Sequence, residues 1–201
     1  MELGIGTGRV ALPLAARGVE VHGIDASEAM VAKLRAKPGG ADIPVTMGDF
    51  AGVGAEGPFS LVFCVFNTFF GLLTQEDQVR CFQEVAGKLT LDGAFVLQVF
   101  VPDPSRFVRG QTTETMQAEP DHVHIAVARH DPLGQMVRSQ HVLISEGGVK
   151  LYPVRLRYAW PSELDLMARL AGLRLRERWS GWKREPFTEE SAQHVSVYGR
   201  E

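Results

Sequence analysis

Cysteine is scarce in this chain: two in 201 residues, Cys64 and Cys81, both inside apolar segments. Two thiols cannot build a disulfide scaffold, so the chain reads as a reduced, cytoplasmic protein. Long hydrophobic runs are also missing. None approaches the roughly 20 residues that span a bilayer, and the N-terminus lacks the basic and apolar stretches of a secretion signal. No sign of charge dominates. A formal net charge of −3 draws the chain to neither nucleic acid nor an anionic membrane, and no basic stripe or recognition motif points to nucleic acid. Internal repeats and long low-complexity segments are absent. The remainder, 45% apolar and 22% charged, is ordinary globular composition. The length suits one domain with a proper core.

The first half alternates strands and helices. "VEVHGID" (Val19–Asp25) is a short β-branched run ending in an acid, and "SEAMVAKLRA" follows as a helix capped by Ser27. "PVTMGDF" reads as a strand that again ends in an acid. "FSLVFCVF" (Phe59–Phe66) is continuously apolar, as a strand covered on both faces requires. "TQEDQVRCFQEVAGKL" is an amphipathic helix capped by Thr74, with Val79, Phe82, Val85 and Leu89 in one stripe. "LDG" then turns the chain into the buried strand "AFVLQVFV". This rhythm predicts an α/β fold: a Rossmann-like, open, mostly parallel sheet with helices on both faces. Pro13 strains the first helix, "GRVALPLAARG", and is tolerable only near its start.

After Pro102 the pattern changes. "DPSRFVRGQTTETMQAEP" is polar and reads as a loop. The next stretch, as far as Trp160, alternates with turn signals at "DPLG" and "EGG", which predicts an antiparallel meander. "PSELDLMARLAGL" is a helix ended by Gly172, and "RLRERW" and "HVSVYGR" close the chain as an antiparallel C-terminal strand pair. Residues 1–201 thus read as a single domain, with 104–160 inserted as a loop plus an antiparallel β cover segment.

The loop "GIGTGR" carries Gly4, Gly6 and Gly8. The dinucleotide fingerprint requires a glycine where Arg9 stands, and a phosphate loop requires a closing Gly-Lys-Ser/Thr that is missing. Glu2, two residues before the loop, is also out of place beside a phosphate. Asp25 lies 17 residues after Gly8, at the end of the second strand, where a carboxylate suits the two hydroxyls of a ribose. Asp49, beside Phe50, ends the third strand and can accept from an adenine amine. Such acids along the carboxyl edge of a parallel sheet fit a ligand with adenine, ribose and a cationic remainder. S-adenosylmethionine, with its sulfonium and ammonium, has that character; its carboxylate end can meet the glycine amides.

"ELGIGTGR", "GIDASEAM", "GDF" and "FSLVFCVFNTFFGL", in that order, resemble class I S-adenosylmethionine-dependent methyltransferases. The likeness is strong over residues 1–101 and looser beyond, and its nearest look is to the small-molecule enzymes of bacterial specialised metabolism. The resemblance implies that Glu2, Gly4, Gly6 and Gly8 line the methionine portion and that Asp25 holds the ribose. It puts Ala26 and Met30 near adenine or ribose, Asp49 and Phe50 beside adenine, and Phe66 and Asn67 near the methyl donor and acceptor. The family usually carries helices before the first strand. Here only Met1, Glu2 and Leu3 precede the loop, so an upstream segment is expected to raise stability.

Plainer readings stand beside these. The glycines form a tight turn in any case. Glu2 can be a partner for Arg9, Asp25 a helix cap, Asp49 a loop acid, Asn67 a turn residue, and Met30 part of its helix's inner face. His122 and His124 have metal-ligand spacing but no third ligand, so no metal is expected. A hydroxyl acceptor needs a base, whereas an amine need only arrive neutral; His124, His130, His141 and Tyr158 of the cover are the candidates. Three hypotheses result: a methyltransferase acting on a nitrogen or oxygen of a small molecule, a silent S-adenosylmethionine-binding domain, and a nicotinamide enzyme, which Glu2 and Arg9 disfavour. A homodimer is compatible with all three.

Overall fold

The computed structural model describes residues 1–52 and 54–200. The chain runs through β1 (Glu2–Leu3), α1 (Ala11–Ala15), β2 (Gly23–Asp25), α2 (Glu28–Arg35) and β3 (Val45–Met47). β4 (Phe59–Cys64), α3 (Gln75–Lys88) and β5 (Leu89–Phe100) follow. Next come β6 (Gln111–Ala118), β7 (His122–Asp131), β8 (Met136–Ser145) and β9 (Gly148–Arg157). α4 (Pro161–Leu170), β10 (Leu173–Trp179) and β11 (Gln193–Arg200) end the chain.

Seven strands form one sheet in the order β10-β11-β5-β4-β1-β2-β3. β1 to β5 are mutually parallel, and β11 lies antiparallel to both β5 and β10. The direction of winding reverses between β1 and β4. A crevice therefore opens beyond their carboxyl ends, where such sheets take ligands. One face packs against α3 and α4: Phe82 of α3 sets its ring edge-on to Phe69, Phe95 and Tyr198, with centroids 5.5, 5.2 and 5.4 Å away. A separate cluster of Ile5, Ala11, Val21, Leu34 and Ile43 ties in α1 and α2. Both capping residues read from the sequence hold their helices: Ser27 Oγ accepts from Met30 N (3.3 Å) and Thr74 Oγ1 from Asp77 N (3.1 Å). Cys64 and Cys81 are free thiols in the core. No helix among the described residues is long and apolar enough to cross a membrane.

β6 to β9 make a second, antiparallel sheet in sequential order, with turns at "DPLG" and "EGG" as the sequence indicates. It is fastened to the helices by one buried cluster. Arg157, at the end of β9, donates to Gln78 Oε1 (2.6 Å), Gln135 Oε1 (2.9 Å) and Glu163 Oε1 (2.8 Å). Gln78 Nε2 donates back to the Arg157 carbonyl, and Gln135 Nε2 to Glu163 Oε2. α3, α4, β9 and the turn before β8 thereby share one hydrogen-bonded knot.

Several sequence expectations are corrected. The stretch read as a loop after Pro102 contains β6. "LDG" is not a turn between helix and strand: β5 starts directly at Leu89, and the register against β4 slips between Phe59 and Leu61, so residues 90–93 bulge out of a continuous strand. The second strand covers only Gly23–Asp25, and the first helix is five residues with Pro13 at its third position. Val79 is only partly buried, whereas Gln78 takes a fully buried place.

Candidate active site

The loop after β1 bends through three left-handed glycines, Gly4 (φ +71°), Gly6 (φ +55°) and Gly8 (φ +77°). A Cβ on Gly4 would strike the Thr68 methyl, and one on Gly8 the Leu34 side chain. Gly6 has space around it but turns its N–H to Asp25 Oδ2 (2.7 Å). Asp25 Oδ1 accepts from Ser27 N (2.8 Å). The carboxylate is therefore clamped between loop and helix, and each oxygen retains a further lone pair. The cap of α2 is Ser27, so the cap reading of Asp25 is corrected: its carboxylate accepts from the cap residue's own N–H.

Glu2 is 3% exposed, and its Oε2 has no hydrogen-bond partner. Burial pushes its pKa up to about 7, against the opposing pull of the Ala11 N–H, the chain's α-amino group and Arg9. It is not an ion-pair partner of Arg9, whose guanidinium instead stacks 3.8 Å from the centre of the Phe66 ring. Met30 is 43% exposed. Its helix buries Val31 and Leu34, while the Met30 methyl hangs over the loop near Gly6, so the inner-face reading of Met30 is corrected. Ala26 is exposed beside it. Asp49 Oδ1 accepts from Ala51 N (2.8 Å), which folds the exposed acid into its own turn, and Phe50 packs on the core. Phe66 and Asn67 both take left-handed conformations (φ +56° and +64°) just beyond β4. Asn67 Oδ1 accepts from Phe100 N (2.7 Å), which joins the ends of β4 and β5.

A cavity of about 610 Å³ lies between these strand ends and the inner face of the second sheet. Asn67 and Phe100 form its floor; Ala128, His130, His141 and Tyr158 contribute to its roof. His130 Nε2 stands 2.8 Å from the Tyr158 hydroxyl, and Phe107 stacks on the imidazole at 4.7 Å. Tyr158 is 4% exposed, and burial, then Asp131 and Glu163, push its pKa up, so it remains a phenol at neutral pH. Its backbone is held on both sides by Gln135: the Tyr158 N–H donates to the Gln135 carbonyl, and Gln135 Nε2 to the Tyr158 carbonyl. His141 lines the cavity, and His124 reaches it only through His141, 3.0 Å away. His122 turns to Asp121 (2.8 Å) instead of sharing a site with His124. Sequence reading missed Phe107, Glu114, Arg106 and Glu190 of the cavity wall and the Arg157 cluster behind it. Only the three threonines of "QTTETMQA", a β-branched residue type, carried a signal for β6.

Residues 1–93 match the family model described as a methyltransferase domain. The CcbJ methyltransferase from Streptomyces caelestis superposes with a TM-score of 0.93 at 46% identity, over 99% of this chain and 82% of that one. This chain belongs to the S-adenosylmethionine-dependent methyltransferases. A cypemycin N-terminal methyltransferase of Streptomyces sp is 28% identical over all of the chain and 82% of its own length. CalS10 of Micromonospora echinaspora, an amino pentose methyltransferase, has the same fold, with a TM-score of 0.74 at 22% identity.

The methyltransferase is therefore an enzyme, with S-adenosylmethionine as cofactor. The silent-domain and nicotinamide hypotheses are set aside. The residues present fit the cofactor's charge: a buried, unpartnered carboxylate oxygen stands under a glycine loop at the switch point of the sheet.

Proposed function

We propose that the enzyme methylates an amine nitrogen of a small molecule held beneath the second sheet. The observation that carries this reading is a cavity whose wall holds two acids, Glu114 and Glu190, that suit an entering ammonium, beside the His130–Tyr158 pair that can take its proton, over a floor at Asn67. The name of the cypemycin relative, an N-terminal methyltransferase, supports nitrogen over oxygen.

In this reading Glu2 faces the cationic end of the cofactor, and Gly4, Gly6 and Gly8 let it approach the backbone. Asp25 takes the ribose with its free lone pairs. Ala26, Met30, Asp49 and Phe50 border the adenine, and Phe66 and Asn67 the transferable group. The bound cofactor supplies an electrophilic methyl on sulfur, and the protein aligns the acceptor with it. An amine enters mostly as an ammonium and is drawn by Glu114 and Glu190 of the cavity wall. The proton leaves by relay: the Tyr158 hydroxyl oxygen takes it while passing its own proton to His130 Nε2, which frees the nitrogen lone pair, and Phe107 stacks on the imidazole. His141, backed by His124, stands at the same wall as a second acceptor of protons.

The test is turnover of labelled cofactor on matched amines and alcohols, with His130→Gln and Tyr158→Phe beside the native enzyme. Methylamine products are expected. His130→Gln should lower kcat on the order of 10²-fold or more while leaving cofactor affinity unchanged. Methyl ethers as the main product, or an unaltered kcat in His130→Gln, refute the proposal.

A further inference from the structure

The charge of this chain is concentrated in one place. Its formal net charge is −3 with histidine counted neutral. The wall of the acceptor cavity carries four carboxylates, Asp103, Glu114, Glu189 and Glu190, against one guanidinium, Arg106, which gives the same −3. The rest of the molecule is therefore balanced, and the whole excess faces one cavity. Two of these acids are oriented by neutral donors that leave their charge uncancelled. Asp103 Oδ1 accepts from Ser105 Oγ (2.5 Å) and Ser105 N (3.0 Å), and these bonds hold its carboxyl below the usual carboxylate range. Glu190 Oε2 accepts from Thr188 Oγ1 (2.6 Å), with the same effect.

Proteins bind phosphoryl groups with free Arg or Lys side chains and with backbone N–H groups at helix N-termini and nests. Here the corresponding donors are engaged within the wall itself. Arg106 is committed to Glu114 (2.5 Å). Ser105 N serves Asp103, Pro104 has no N–H, and Phe107 N donates to the Pro104 carbonyl. In the other acidic segment, Thr188 N donates to Ser191 Oγ and Ser191 N to the Thr188 carbonyl. A cavity of about 610 Å³ is comparable in width with the Debye length, about 10 Å at 0.1 M salt, so every charge on its wall acts on what enters. A phosphate monoester would bring about −1.5 to −2 further charges into this space at pH 7.

Resting on the amine reading above, we propose that the acceptor enters as a cation free of phosphoryl and nucleotidyl groups, and that these carboxylates exclude the same amine while it is still attached to such a carrier. The reaction's place in a sequence follows from this. A phosphoryl handle used in building the acceptor is removed first, by hydrolysis or by transfer of the acceptor to an uncharged partner. Methylation comes after that step. Glu189 and Glu190, on an exposed turn at the cavity wall, are then specificity-determining residues.

Calorimetry on the whole chain saturated with S-adenosylhomocysteine tests this, with tyramine and glucosamine as probes beside tyramine O-phosphate and glucosamine 6-phosphate. Each plain amine should bind about tenfold or more tighter than its phosphate at low salt. The preference should shrink about threefold or more in roughly 0.5 M salt. It should shrink similarly in the double variant Glu189→Gln with Glu190→Gln, whose cofactor affinity reports an intact fold. A phosphate that binds as well as its parent amine, or no binding of either, would overturn the proposal. So would a preference that neither salt nor the double variant narrows, because shape and not charge would then be selecting. The titration involves no methyl transfer, so it decides on charge even where the turnover assay yields ethers and the amine reading fails.

Discussion

Glu2 and His194 are two buried groups whose titrations run in opposite directions. The pKa of Glu2 is raised to about 7, chiefly by burial, so between pH 4.5 and 7 the folded chain holds a proton that the unfolded chain has lost. Its contribution to stability is complete below pH 4.5 and is lost as pH rises through 7. His194 has Nδ1 2.8 Å from Ser196 Oγ, an unpartnered Nε2, and a pKa lowered to about 4 by burial and then by Arg178. Its contribution is complete above pH 6.5 and is lost as pH falls through 4. Each slope is about 1.4 kcal/mol per pH unit at most. In the shared window, pH 4.5–6.5, they offset each other. Urea titrations should show Glu2→Gln gaining stability with rising pH across this window, and His194→Gln losing it. Identical slopes in the two variants would contradict this account. In the proposed reading Glu2→Gln should also weaken S-adenosylmethionine binding about tenfold or more in calorimetry, because the cofactor's cation would lose its counter-charge.

At the scale of elements, the Arg157 knot decides how the second sheet sits on the first. Removing one partner of a buried pair leaves the other charge stranded, at a cost of about 3–5 kcal/mol. Arg157→Met should therefore lower stability in that range, and Arg157→Met with Glu163→Leu should recover part of it, as thermal melts would show. Because Gln135 links this knot to Tyr158, the single variant should also depress kcat more than it raises KM. The knot was not legible in the sequence, since a glutamine in a helix and an arginine at a strand end each read as surface residues. β6 was missed for a related reason. Its inner face offers Thr112 and Glu114 to the cavity and its outer face meets solvent, so no hydrophobic alternation survives. The bulge at residues 90–93 read as a turn because Gly93 follows Asp92, whereas pairing with β4 carries the strand past it. The glycine loop, Asp25 and the paired strands of the first half were legible because backbone geometry and burial fix them locally. His130 and Tyr158 stood out as residue types, but only the pairing of β7 with β8 and of β8 with β9 brings them together across 28 residues.

For the whole molecule, the cofactor should act as a stabilising ligand. At a concentration 100 times its Kd it adds about 2.7 kcal/mol, which for a chain of this size is roughly 5–10 °C in Tm. Thermal melts with S-adenosylmethionine and S-adenosylhomocysteine should both shift upward, and NAD should leave the transition in place. In the proposed reading the wall of the acceptor cavity draws on β6, β7 and β8 and on the segments 100–107 and 189–192, whereas the donor edge belongs to β1, β2 and the end of β4. Replacements at Thr112, Met116 or Ser139 reshape what the pocket admits without disturbing a single group on the donor edge. Selectivity in such a catalyst can diverge rapidly while its chemistry stays fixed.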